Sequence, residues 1–276
     1  MILIAVFLMF PAAWTLYLGF TNYRLTGAAA AHQSFVGLGN YKNGLTNPGF
    51  VSSLEKTAIY VLASAVIGQV VLGFVLAWIM RGWRSVWRRA MEALVIIAWI
   101  IPSSVVAFLW TSYLQGNIGP LTQRGTLNTV LGGIGVNWLL QYPLISLVAF
   151  NIWRGTAFSM LLFGAAIQGI PPSYLETSRL VGASGWQQFR DVVVPNVRGH
   201  ILTNLLLISL WTFNDFTPYL LTAGGPNNQT NFLPVYIYKQ AFQQGSFGYG
   251  AAISTIVLLI NLLVALFYLR LLRTRQ

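Results

Sequence analysis

The sequence predicts an all-α membrane protein, a six-helix transmembrane bundle. Three observations predict it. Of 276 residues, 56% are hydrophobic and only 8% charged, against about a quarter charged in soluble domains. Six apolar runs each reach the roughly 20 residues a helix needs to cross the hydrocarbon core. The basic residues behind the formal charge of +11 lie between those runs, a distribution left by membrane topology and not by a nucleic-acid groove beside a folded core.

The runs are 1–20, 57–80, 92–114, 143–168, 201–222 and 247–269, the fifth slightly more polar than the rest. Together they make a single transmembrane domain over 1–276. The first run has neither a basic leader nor a small-residue cleavage site and so does not read as a signal peptide; its abrupt start points to an N-terminal tail upstream. Arg81, Arg84, Arg88 and Arg89, then Arg179, Arg190 and Arg198, then Arg270, Arg273 and Arg275 fall on one side of the bundle. That side is cytoplasmic by the positive-inside rule, with both termini inside a multi-pass cell (inner or plasma) membrane protein. Arg24, Lys42, Lys56, Arg124 and Lys239 are spread over the opposite, longer stretches. Of these, 33–50, 115–137 and 222–231 are rich in Gly, Asn, Pro and Thr, as irregular backbone in water is. Tyr17, Trp83, Trp87 and Trp138 near span ends fit interfacial belts.

Enzyme chemistry has little to build on. Glu55, Glu92, Glu176, Asp191 and Asp215 are the five acidic residues, there is no cysteine, and His32 and His200 sit in different loops. No catalytic residue and no metal site is expected. The sequence contains no G-x-x-x-x-G-K-[ST] phosphate loop, so the chain is not an ATPase.

The most informative stretch is the cytoplasmic loop 170–195. Ser173 and Glu176 have capping-box spacing, Leu175, Leu180 and Val181 form a short apolar face, and Gly182 is a natural helix terminator. A second short helix is expected from near Ser184 towards Pro195, where the next span begins. Apolar and cationic residues exposed together on such a helix-turn-helix suit docking to another protein.

This segment resembles the EAA loop of binding-protein-dependent ABC importer permeases: Glu176 matches its first position, Gly182 its glycine and Pro195 its closing proline. Ile170-Pro171, Ala183-Ser184, Trp186 and Phe189-Arg190 match the flanks, while Thr177, Ser178 and Val181 depart from the usual Ala, Ala and Asp. Phe35-Val36-Gly37-Leu38-Gly39-Asn40-Tyr41, Leu221-Thr222-Ala223-Gly224-Gly225-Pro226 and Phe247-Gly248-Tyr249-Gly250 follow in the order of the sugar-permease subfamily, MalF/UgpA type. The long second outer domain of some MalF proteins has no counterpart. The resemblance implies a type I ABC importer (MetI-like) architecture with a cytoplasmic coupling helix. In it Glu176, Thr177, Ser178, Gly182, Ala183 and Pro195 meet a cytoplasmic ATPase. It also implies a heterodimer with a second, MalG/UgpE-like permease subunit, two ABC ATPase subunits that hold ATP and Mg, an extracytoplasmic solute-binding protein, and no cofactor on this chain. The implied cargo is a sugar or oligosaccharide.

Ionisable groups at the centre of a span cost about 2.5–3.5 kcal/mol on insertion scales, so Arg154 and Asp215 require partners or water. One reading places Asn151, Arg154, Asn204, Trp211, Asn214 and Asp215 along the solute path, where aromatic faces beside hydrogen-bonding groups suit sugars. The other makes them an Arg154–Asp215 ion pair, or helix-to-helix hydrogen bonds that only hold the bundle together. Trp110 and Tyr113 are weaker path candidates. A path-facing Arg154 would suit an anionic cargo, such as a sugar phosphate or a phosphorylated polyol like glycerol-3-phosphate, whereas a paired Arg154 would suit a neutral sugar as well. A secondary carrier would show features repeated in two halves, and no convincing repeat is present.

Overall fold

The computed structural model describes residue 3 and residues 5–116, 125–132 and 135–273. Arg124 and Arg275, with parts of the expected first span and of the loop 115–137, lie outside the described residues. The main helices are α1 (Phe10–Leu18), α2 (Pro48–Met80), α3 (Ser85–Ile100), α4 (Ser103–Leu114), α5 (Pro143–Gln168), α6 (Pro172–Leu180), α7 (Gly185–Phe213) and α8 (Phe247–Arg273). Among the described residues, α2, α5, α7 and α8 are long and apolar enough to cross a membrane, and α3 with α4 make a fifth crossing if the bent pair is one span. No regular strand occurs among them.

Two of the expected spans are interrupted in the structure. The run 92–114 is not one straight helix, because α3 and α4 meet at 97°. Pro102 brings no N–H and its ring disfavours helical geometry in the residue before it; Ile101 is extended, at φ −58° and ψ 132°. The run 201–222 is also interrupted. Helix α7 starts sixteen residues earlier, at Gly185, and stops at Phe213, after which Thr217–Thr222 is a separate short helix. Asp215 makes the break: its Oδ1 accepts from the Thr217 N–H at 3.0 Å and from the Thr217 hydroxyl at 2.6 Å, the side-chain turn that Asp favours. Helix α2 likewise begins at Pro48, nine residues before the expected 57.

The chain divides into two compact units, Met1–Ile59 with Phe213–Val264 and Tyr60–Thr212 with Ala265–Gln276. In the first, Asn40 ties the end of α1 to the following loop, its Nδ2 donating to Gly19 O at 3.0 Å and Thr21 O at 2.8 Å. Here the Asn of the FVGLGNY stretch satisfies backbone carbonyls that would otherwise be orphaned past the helix end.

In the second unit α2 and α5 approach closely because small residues face each other. A Cβ on Gly73 would lie 2.5 Å from Ser159 Cβ, and one on Gly155 would lie 2.3 Å from the Gln69 side chain. Without a hydrophobic drive between helices in lipid, such contacts and interhelical hydrogen bonds supply the association. The Gln69 Nε2 donates to Asn151 O at 3.0 Å. Below them Phe74, Phe163, Ile167, Ile170, Val193 and Val197 form a buried cluster, with the Phe74 and Phe163 rings 4.9 Å apart. We expect Gly73→Val to lower stability by about 1–3 kcal/mol through overpacking, seen as a fall in the thermal midpoint in detergent. Gly82→Ala, which meets open space, leaves the midpoint unchanged.

Candidate functional site

The loop between α5 and α7 is held at both turns by local hydrogen bonds. Pro171 and Pro172 start α6, Pro172 standing in its first turn, where a missing N–H costs nothing. Ser173 is therefore inside the helix and no side chain caps it, which corrects the expected Ser173/Glu176 capping box: the prolines begin the helix two residues too early for Ser173 to sit at its cap. The box occurs instead eleven residues later, at Ser184. Ser184 N–H donates to Gln187 Oε1 at 2.7 Å and the Gln187 N–H to Ser184 Oγ at 3.3 Å, the reciprocal pair that closes a helix start.

Gly182 ends α6 as expected. Its φ of 82° is left-handed; its N–H reaches Arg179 O at 3.0 Å, and the Ala183 N–H reaches Ser178 O at 2.9 Å, the double bond pattern of a glycine-terminated helix. Helix α7 then runs through Pro195 without a break. Its turns widen to π geometry over Gln188–Val193 just ahead of that proline, one of the few ways a helix absorbs a missing donor.

Of the expected apolar face, only Leu175 packs inward, against the Phe74–Val197 cluster, together with Phe189. Leu180 and Val181 are 88% and 79% exposed, and Trp186 66%. Glu176, Thr177, Gly182 and Pro195 are exposed too, Ala183 is half-buried, and Ser178 is buried with its hydroxyl on Leu175 O at 2.7 Å. The Phe189 ring stands edge-on to Phe74 at 5.3 Å and to Trp78 at 5.5 Å. Arg81, stacked 3.0 Å over the Trp78 ring, has its pKa lowered by burial and by nearby Arg179. The loop thus presents an apolar turn at Leu180 and Val181 and the Glu176 carboxylate outward.

The polar residues of the spans separate into three groups. Asn151 and Asn204 are buried: Asn151 Nδ2 donates to Ser64 Oγ at 2.7 Å and Thr212 Oγ1 at 3.3 Å, and Asn204 pairs with Ser159 at 3.0 Å. These bonds join α5 to α2 and α7. Arg154 is half-buried and donates through Nη2 to Ser103 Oγ, at the start of α4. Trp211 is half exposed and its ring meets Phe158 at 4.8 Å and Trp99 at 6.5 Å. In the other unit Asn214 and Asn261 exchange amide hydrogen bonds of 3.3 and 3.0 Å at an exposed position, while Asp215 makes the turn described above. Trp110 packs on Phe150 and Trp153 at 5.5 and 5.6 Å. Ser64, Gln69, Ser159 and Thr212 escape sequence reasoning, although a polar residue inside an apolar run is itself the signal.

Comparison with known proteins decides what this arrangement is. Residues 69–275 match the family described as the inner membrane component of binding-protein-dependent transport systems. The chain belongs to that family. A probable ABC transporter permease of Pyrococcus horikoshii is 30% identical over 98% of this chain and 91% of its own. The sulfoquinovosyl glycerol transport system permease of Agrobacterium fabrum is 25% identical over 100% and 88%. In fold the chain is similar to a bacterial ABC transporter involved in import of the acidic polysaccharide alginate, with a TM-score of 0.82 at 22% identity over 99% of this chain and 92% of that one. It is therefore a membrane permease component of an ABC importer, of a family whose ATPase activity lies in a separate subunit.

In this permease the exposed loop depends on one left-handed residue. Gly182→Ala is expected to cost the loop about 1–2 kcal/mol, read as faster hydrogen exchange at the Gly182 and Ala183 amides with the α5 amides unchanged.

Proposed function

We propose that the permease forms half of the translocation pathway for a carbohydrate-like solute, a sugar or oligosaccharide, and that α6 is the coupling helix through which a cytoplasmic ATPase drives it. The observation that carries the coupling is the outward turn at Leu180 and Val181, beside Glu176, on a loop anchored through Leu175 and Phe189 to the helix core. An apolar turn this exposed is the kind of surface that a partner covers, and its rigidity lets displacement of the turn reach α5 and α7. Glu176, Thr177, Gly182 and Ala183 form the contact, with Ser178 and Pro195 shaping it from behind. Six spans with both termini cytoplasmic put this loop, the Arg81 turn and the α8 end on the same side. The assembly has a second permease subunit, two ATPase subunits with ATP and Mg, and an external solute-binding protein. A solved relative in fold is an alginate transporter in complex with an alginate-bound periplasmic protein, which supports that last partner.

For the solute, the Trp99, Phe158 and Trp211 cluster supports a sugar, since exposed aromatic faces bind the apolar faces of pyranose rings. The names of the Agrobacterium permease and of the alginate transporter point to glycosides in the same direction. Of the candidates, exposure favours Trp211 and Asn214 as path residues, Arg154 lies mid-way along α5 against the start of α4, Asp215 lies in the turn after α7, and Asn151 and Asn204 support the path from within.

Purification in mild detergent tests the coupling. Glu176→Lys and Leu180→Asp are each expected to weaken retention of the ATPase subunit by about 1–2 kcal/mol, without loss of folded permease. Full retention by both variants would remove α6 from the contact. For the path, Trp211→Ala should raise the transport KM about three- to tenfold while ATPase retention stays as in wild type; an unchanged KM would take the aromatic cluster out of the path.

A further inference from the structure

A half-open cavity of about 400 Å³ lies within the first unit, between the opening turns of α2 and the segment 224–244. Its size falls within the range of small-molecule sites, about 300–1,000 Å³, but its lining is polar and includes Ser53, Lys56, Asn228, Asn231, Tyr236 and Lys239. Tight turns build it: Ala223, Gly224, Asn227 and Asn228 all have positive φ, Thr230 Oγ1 donates to Gly225 O at 2.9 Å, and the Leu233 N–H donates to Thr57 Oγ1 at 2.8 Å.

The lining carries two cations and, among its described residues, no carboxylate. Glu55 precedes Lys56 but is exposed and takes no part in the lining. Lys56 Nζ donates to Asn228 O at 2.8 Å and Lys239 Nζ to Asn228 Oδ1 at 3.4 Å, neutral acceptors that use only part of each ammonium's three donors. Burial pulls the Lys239 pKa below its usual value, as expected of a cation with its charge uncompensated. Tyr236, paired with Tyr249 at 3.3 Å, is pushed up by burial and stays a neutral hydroxyl.

Asn231 supplies the second observation. It is 7% exposed, its Nδ2 reaches Ser53 Oγ at 3.5 Å, and its Oδ1 is buried without a hydrogen-bond partner, against the general rule for buried polar atoms. A Cβ on Gly224 would lie 2.7 Å from Lys239 Nζ and 3.2 Å from Asn231 Oδ1, so the ammonium and the unmet acceptor border the same space. A simple carboxylate would answer the lysines and leave Asn231 Oδ1 unmet. A neutral sugar would do the reverse.

We propose that this cavity is a binding site for a small anion that also carries hydroxyl groups, the chemistry of a sugar acid. Its carboxylate lies between Lys56 and Lys239, and a hydroxyl donates to Asn231 Oδ1. The site is at the Pro48 end of α2, remote from the Arg81 end, so it faces the side from which an imported solute arrives; that clause alone rests on the orientation proposed above.

Calorimetry with D-glucuronate on the purified full transporter, without nucleotide and without solute-binding protein, tests it. Glucuronate is expected to bind saturably, with D-glucose and acetate each at least about tenfold weaker. Lys56→Met and Lys239→Met should each weaken glucuronate by at least about tenfold with thermal midpoint and subunit composition as in wild type. Absence of saturable glucuronate binding to wild type, equal binding of glucose or acetate, or wild-type affinity in both lysine variants would overturn the proposal. Because the readout is direct binding without ATP, loss of the ATPase contact in the α6 variants bears on the coupling and leaves this result untouched.

Discussion

Asn151 holds three helices with one side chain and one carbonyl. Its amide donates to Ser64 on α2 and to Thr212 on α7, and its backbone oxygen accepts from Gln69. In hydrocarbon each such bond contributes modestly, about 0.6 kcal/mol on average with values near 2 at most, so its main effect is on register. A helix slipped by one residue would turn Gly73 away from Ser159 and Gly155 away from Gln69, and the close approach of α2 and α5 would be lost to clashes. Asn204 and Ser159 repeat the device between α5 and α7. The Phe74–Val197 cluster, and the loop that hangs from it, inherit the register set there.

The loop shows how a short surface helix becomes stiff. Nine residues make a poor isolated helix, yet α6 begins on a proline pair, ends on a left-handed glycine with two carbonyls satisfied, and is followed by a reciprocally capped start to α7. Leu175 and Phe189 insert beside Ile170 and Val193. Leu180, Val181 and Trp186 stay outside, on and after the glycine turn.

Local signals were legible in the sequence and through-space ones were not. Gly182 and Ser184 declare their roles within four residues, so their turns are readable. Ser173 misleads because the proline pair before it competes for the same helix start, and propensity rules do not rank the two. The α3/α4 bend is invisible to hydropathy, which averages Pro102 into an apolar window, though the proline itself was in plain view. Asp215 reads as a buried span charge only while α7 is assumed to run past Phe213. Asn151 and Asn204 look alike to a path residue in sequence; what distinguishes them is the neighbouring Ser and Thr hydroxyls, which lie 45 to 87 residues away. The cavity around Lys56 and Lys239 joins segments more than 170 residues apart, and no spacing rule reaches so far.

The bend at Pro102 also bears on how the chain is built into a bilayer. Helices α3 and α4 have 16 and 12 residues, about 24 and 18 Å at 1.5 Å per residue, each short of the roughly 30 Å hydrocarbon core. Neither arm partitions into lipid as a self-sufficient unit. The carbonyls loosened at the corner need protein around them, and one polar contact at the start of α4 comes from Arg154, some fifty residues later in the chain. The corner between α3 and α4 is thus completed by a side chain of α5, which emerges from the ribosome only after both arms.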